Sequence, residues 1–263
     1  NPWWDYSLGR SFVFVDDKMP GYPPIFYYHK DNKFDRSTIN SVLFNECVDP
    51  MEENGRCGTG CGYHLDNEKL VAYLKKIFIK RGGVVNQKTV IDATTNDDGI
   101  EKIIFDDGSV EDTGDLYIDC TGFKSLLLGE KMGVPFNSYQ DRLLCNAALV
   151  TSYDIEEDDI ALGTVAEKMD YGWIWTIDHK NRRVRGYVHC DKFVSEKEIE
   201  QELLKKIGDV EYEQPRKVKF PAGCREVAWK KNVVALGNAY SFVEPMESTA
   251  LHNIATMVRD LQD

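Results

Sequence analysis

The sequence predicts a mixed α/β fold in which an α/β layer interleaves with a β-rich sheet. Three observations carry that expectation. Two apolar strands far apart in the chain, Asp115–Phe123 and Asn232–Leu236, run into small residues, at Gly122 and at Gly237-Asn238-Ala239. Alternating strand-like segments punctuated by Gly, Asp and Asn lie between and before them. Helical periodicity appears at three separate places, after Asp66, after Ser195 and after Thr249.

Taken in order, residues 1–61 are rich in Pro, Gly, Asp and aromatics, with β-like pieces such as Ser11–Val15 and no sustained period, so they are expected to need support from the rest of the fold. Asp66 can cap a helix whose apolar stripe is Leu70, Val71, Leu74, Ile77 and Phe78, ended by Lys80-Arg81-Gly82-Gly83. Val84–Val90 and Ile100–Phe105 read as strands of a meander, turned at Asp98-Gly99 and Asp107-Gly108, dipeptides suited to positive φ. The strand Asp115–Phe123 leads into a short helical stretch, Lys124–Met132. Further strands are expected around Leu143–Thr151, Gly172–Ile177 and Arg183–Cys190. Ser195 and Glu198 form a capping-box pattern before Ile199, Leu203 and Ile207, with Gly208 as the stop. After Asn232–Leu236 comes a last helix with the apolar face Leu251, Ile254, Ala255, Val258 and Leu261. No repeat or linker separates the two parts, so they interleave.

Composition bounds the function. The chain of 263 residues is 42% apolar and 11% aromatic, enough to fill a sizeable core. With 32 basic and 44 acidic residues the net charge is -12, which disfavours a nucleic-acid partner. The short basic run Lys180-Asn181-Arg182-Arg183 reads as a solvated hairpin tip. No segment has the length of a membrane span, so no membrane is expected as a partner. The opening Asn1-Pro2-Trp3-Trp4-Asp5 has neither an initiator Met nor the order of a signal peptide and reads as a cut start. Seven cysteines, an odd number in a chain of this size, point to free thiols and a cytoplasmic setting.

The richest chemical signal runs from Gly237 to Leu251. A buried strand ends in small residues, Pro245 stiffens a loop bearing Glu244 and Glu247, and Ser248 and Thr249 sit where a helix starts. Free N–H groups and the positive end of a helix dipole make an anion site there without a cationic side chain. Read blandly, Ser248 and Thr249 only cap the helix and the acids are solvated. Trp173 and Trp175 alternate on one strand, so both rings share a side and can wall a cavity, although such pairs are more often ordinary packing.

The segment Glu244-Pro245-Met246-Glu247-Ser248-Thr249-Ala250 resembles the signature loop Glu-Pro-Leu-Glu-Ser-Thr-Gly of the flavin-dependent tryptophan halogenases, with Met246 for Leu and Ala250 for Gly. Gly172-Trp173-Ile174-Trp175-Thr176-Ile177-Asp178 resembles the family's Trp-x-Trp-x-Ile-Pro, with Asp178 for the proline. Residues 62–66, Gly-Tyr-His-Leu-Asp, and the strand 115–123 extend the likeness across roughly residues 62–262, and several ordered motifs are more specific than any one.

The resemblance implies an FAD/NAD(P)-binding, Rossmann-like flavoprotein monooxygenase fold with a β-rich substrate domain, its first βαβ unit missing. Residues 1–61 would be a substrate-side segment, 62–135 the remaining FAD-binding part, 136–231 the substrate domain and 232–263 the return to the FAD side. It implies catalytic roles for Glu247 and Ser248, a halide on the amides of Thr249 and Ala250, FAD beside Gly122, Gly237, Asn238, Ala239 and Leu251, and substrate against Trp173, Trp175 and Phe242. Cofactors would be FAD, reduced in trans by a flavin reductase, and chloride or bromide; the product would be a halogenated, tryptophan-like or indole-like aromatic.

Three family features have no match: no Gly-x-Gly-x-x-Gly opens the chain, neither Lys18 nor Lys30 stands in the surroundings of the family's catalytic lysine, and the family's His-x-Phe substrate contact is absent, Phe12-Val13-Phe14 being the nearest candidate. An aromatic hydroxylase and a truncated, non-catalytic fragment are the alternatives. Cys57, Cys61 and His64, with Cys47 nearby, have only loosely the spacing of a zinc site, and no metal is expected. Structural roles are expected for His29, His179, His189 and His252.

Overall fold

A computed structural model describes residues 64–112, 114–161, 163–245 and 249–262. In chain order its elements are α1 (Asn67–Lys80), β1 (Val90–Asn96), β2 (Gly99–Phe105), β3 (Val110–Glu111), β4 (Tyr117–Asp119), β5 (Phe136–Ser138), β6 (Ala147–Asp154), β7 (Val165–Lys168), β8 (Gly172–Asp178), β9 (Arg182–His189), α2 (Glu196–Ile207), β10 (Arg216–Lys219), β11 (Gly223–Arg225), β12 (Trp229–Lys230), β13 (Val233–Ala235), β14 (Ser241–Phe242) and α3 (Thr249–Gln262). The mixed α/β class is as the sequence predicts. The described residues form two compact units, each assembled from segments far apart in the chain.

One unit gathers the described residues up to Val84, Leu149–Tyr187 and Lys197–Arg216. Asp66 caps α1 as expected, its carboxylate accepting from the Lys69 N–H at 3.1 Å. The apolar stripe of α1 differs from expectation: no residue of the helix is buried, and Val71 is 63% exposed. The 3.6-residue period makes one face apolar, but among the described residues that face is only partly covered: Leu70 and Ile77 are half-buried, while Leu74 and Phe78 are exposed. The five-stranded sheet runs β10-β6-β9-β8-β7. Ile174, Ile199, Leu203 and Tyr187 are fully buried in this unit, so the periodic positions of α2 do face inward.

The other unit gathers Val85–Ala148, Val188–Glu196 and the described residues from Lys217. Three small sheets build it, ordered β1-β2-β3, β14-β11-β5 and β12-β13-β4. The expected meander is present, but its first strand begins at Val90 and not at Val84. Antiparallel register sets Asn96 against Gly99 and Val90 against Phe105, the last residue of β2; one further backbone bond, from the Asp106 N–H to the Thr89 carbonyl at 2.9 Å, closes the pairing where the chain turns away at Asp107-Gly108. The stretch expected as a helix after residue 123 is a tight turn at Gly122–Lys124 followed by a π-helical turn, Leu126–Lys131, in which Glu130 N–H donates to Ser125 C=O at 3.0 Å. Leu126, Leu127 and Leu128 drive that turn into a core with Ile100, Ile103, Val134, Val233 and Ala239. Likewise β6 starts at Ala147, because Leu143 belongs to the turn closed by its N–H on Tyr139 C=O.

Candidate functional site

In the second unit the site is built on two parallel strands, β4 and β13, paired in register from Tyr117↔Val233 to Ala235↔Asp119. Both end in glycine turns, Gly122 at φ 68° and Gly237 at φ 57°, a left-handed conformation that other residues adopt only at a cost. The Leu236 N–H donates to Asp119 C=O at 3.0 Å and keeps the two strand ends together. Gly237 is buried beneath α3: a Cβ there would lie 3.1 Å from Ile254. At Gly122 a Cβ would meet open space.

Asp119, wholly buried, organises the turn after β4. One carboxylate oxygen accepts from the Thr121 N–H (3.0 Å) and hydroxyl (2.6 Å), the other from the Leu127 and Leu128 N–H groups at 2.9 and 2.8 Å. The free N–H groups opening the π-helical turn thus receive an anion, which offsets the desolvation of the carboxylate. The sequence reading gave this residue no role. An Asp two positions before a Thr at a strand end is the signal that could have found it.

Phe242, on β14, stacks edge-on with Phe123 (5.3 Å between centroids) and with Phe220 (5.1 Å). The structure therefore brings Gly122, Gly237, Ala239 and Phe242 into one neighbourhood, with Asn238 exposed at its edge. Ala250 and Leu251 lie in the first turn of α3, Leu251 50% exposed. Of the expected apolar face of α3, Ile254 packs on Gly237 while Leu251 and Val258 are exposed. Thr249 is the first residue of that helix; Glu247 and Ser248, with Met246, lie outside the described residues. Glu244, on the same loop, is half-buried, and the Cys145 thiol is pushed up to about 11 by burial first and by the Glu244 carboxylate second.

The other unit carries Trp173 and Trp175 on β8. They alternate with the buried Ile174, Thr176 and Asp178, so both indoles share the half-buried face. Asp178, where the family motif has proline, is wholly buried and grips Arg183 through two 2.7 Å hydrogen bonds. Asp178 also accepts from the Ala161 N–H at 2.8 Å. Those contacts raise the Arg183 pKa above its ordinary value. Arg183 is thus no part of a solvated tip, correcting the sequence reading; the basic run hid a residue whose partner stands five positions earlier on the facing strand.

His64 donates from Nδ1 to the Asp178 carbonyl at 2.8 Å, and its Nε2 meets the Thr164 hydroxyl at 2.9 Å. Among the described residues no cluster of three or more His, Cys, Asp or Glu is arranged to hold a metal ion, and Cys47, Cys57 and Cys61 lie outside them. Nor, among those residues, is any helix long and apolar enough to cross a membrane.

Comparison with known proteins places these motifs. Residues 28–263 match the tryptophan halogenase family. The 7-chloro-L-tryptophan 6-halogenase of Kutzneria sp. is 33% identical over 215 residues, covering 80% of this chain and 41% of the relative. The tryptophan 7-halogenase of Lentzea aerocolonigenes is 29% identical over 245 residues, covering 87% and 46%. Among solved structures, a tryptophan 6-halogenase from Streptomyces toxytricini superposes with a TM-score of 0.78 at 29% identity, covering 87% of this chain and 49% of that one. A flavin-dependent halogenase from Xanthomonas campestris gives 0.78 at 28% identity, covering 88% and 46%. The chain spans less than half the length of the curated relatives it matches. Family profile, ordered motifs and shared α/β fold agree: this chain belongs to the tryptophan halogenase family.

Proposed function

We propose that this chain supplies part of an FAD-dependent halogenase that converts an electron-rich, tryptophan-like or indole-like aromatic to its chloro or bromo product. The observation that carries the proposal is the pair of left-handed glycines ending the parallel strands β4 and β13, beside the helix that opens at Thr249. Space is open over Gly122, and Asn238 is exposed to donate or accept at the rim, while the small buried residues Gly237 and Ala239 let α3 pack close behind them. Gly122, Gly237, Asn238, Ala239 and Leu251 would hold FAD. Bound there and reduced, it would activate O2, the oxidant that makes a halide electrophilic.

The rest falls to this chain's own groups. The backbone amides of Thr249 and Ala250 open a helix of 14 residues, where free N–H groups and the helix dipole hold a halide without neutralising it by contact with a cation. Glu247 is assigned to stabilise positive charge on the ring being halogenated and to take up the ring proton; Ser248 positions the reacting groups beside it. Trp173, Trp175 and Phe242 present flat apolar faces suited to an aromatic substrate. A flavin reductase is the proposed partner, and the cytoplasm the proposed location, in keeping with the free thiols of Cys120, Cys145, Cys190 and Cys224. The assignment of 62–135 and 232–263 to the cofactor side, 136–231 to the substrate side and 1–61 to a substrate-side segment belongs to the same proposal, supported by the pairing of β4 with β13.

The test is mass spectrometry of the full-length protein with FAD, a flavin reductase, NADH, halide and a panel of indoles. A product carrying one halogen in place of hydrogen is expected. Hydroxylated product without halogen would overturn the proposal in favour of an aromatic hydroxylase.

A further inference from the structure

Strand β8 carries both indoles on one face, and the structure anchors it at three points. At its start, the turn Asp170-Tyr171 is held by α2: Asp170 N–H donates to one carboxylate oxygen of Glu202 at 2.9 Å. The other oxygen accepts from the Tyr187 hydroxyl, and that hydroxyl in turn accepts from the Tyr171 N–H at 3.1 Å. Tyr187 is wholly buried. A single carboxylate on a helix thereby fixes two consecutive amides immediately before Gly172 and Trp173.

At its end, Asp178 is gripped by Arg183, which also donates to the Asp159 carbonyl at 2.8 Å, while the Asp178 carbonyl accepts from His64. Midway, Trp175 lies between small residues: Ala166 is its register partner on β7, and a Cβ on Gly186 of β9 would overlap the indole ring. Replacing a buried ionic pair by apolar side chains is often neutral or stabilising, so polar anchors at both ends of one strand call for a reason beyond stability.

We propose that Glu202, acting through Tyr187, and Asp178, acting through Arg183, are positioning residues that clamp the two ends of β8 and so preorganise Trp173 and Trp175 for an aromatic substrate. The clamp rests on the reading that this indole pair binds substrate. Holding both rings before binding spares the ordering cost that mobile side chains impose on association, and it keeps the substrate ring aligned.

Y187F and E202Q test the clamp at one end with little change of volume; D178N tests the other. Two readouts are needed. In full-length protein in which every tryptophan other than Trp173 and Trp175 is replaced by Phe, the fluorescence anisotropy of those two indoles is expected to fall in Y187F and E202Q. In the full-length enzyme, the same two variants are expected to raise KM for the aromatic substrate roughly tenfold, with kcat changed less than about twofold. Anisotropy and KM both unchanged, with only a lower melting temperature, would show a purely structural role and overturn the proposal. D178N that unfolds leaves the Y187F and E202Q results decisive. W173F and W175F serve as the control on the underlying reading: if neither moves KM, the substrate assignment fails, whereas an anisotropy fall in E202Q would still establish the clamp.

Discussion

The ends of β4 and β13 and the strand β8 are the two regions proposed to contact ligands, and they are made rigid by different means. At β4 and β13 the side chains are removed: two glycines take left-handed backbone, Ala239 is buried, and the one large polar contribution, Asp119, points back into the turn it organises. At β8 the largest side chains in the repertoire are presented, and carboxylates on either side of them hold the backbone still. A planar cofactor approaching a strand end needs backbone without bulk, whereas a wall for an aromatic ring needs bulk without mobility. Substitutions should therefore fail differently at the two places.

The largest expected effect is at β8. D178A removes the partner of a guanidinium that is mostly buried, and leaving a buried charge uncompensated is expected to cost about 3 kcal/mol, read from urea titrations of the wild type and variant. At the glycine junction, G237V forces a β-branched residue into left-handed backbone and against Ile254, expected to cost about 2 kcal/mol and to weaken FAD binding in the full-length protein. G122A, with the same backbone strain but open space around the added Cβ, is expected to cost only about 1 kcal/mol. Equal losses at the two glycines would erase the distinction drawn between them.

The smallest effect is one of reactivity. Burial and the Glu244 carboxylate raise the Cys145 pKa to about 11. Because the raised value disfavours thiolate in the folded state, alkylation of Cys145 by iodoacetamide is expected to be slow at neutral pH and to accelerate only as pH approaches that value. In urea the same thiol should titrate near an ordinary value of roughly 8.5. Rapid labelling of folded protein at neutral pH, mapped to Cys145 by peptide mass analysis, would mean that the fold does not bury the thiol as described.

Much of this was legible in the sequence, and the boundary is physical. The cap at Asp66, the two Asp-Gly turns of the meander, the stop at Gly208 and the glycines at 122 and 237 depend on residues a few positions apart, so local pattern announces them. Strands of two to four residues, such as β3, β10, β11 and β12, are too short to display a period, and they form because a partner elsewhere accepts them. The same holds for the polar anchors. Glu202 finds Asp170 and Tyr187 across the fold, and Asp178 finds Arg183 only once β8 and β9 turn back on each other. In sequence Glu202 belongs to no motif, and Asp178 shows only as a departure from the proline of the family pattern.

The most direct measurement compares wild-type full-length protein with E247Q, reading halogenated product by mass spectrometry and bound FAD by absorbance. A carboxylate that serves the reacting ring predicts a loss of product of about a hundredfold or more with FAD binding unchanged. Product formed at the wild-type rate, or FAD lost together with product, would contradict the role assigned to Glu247.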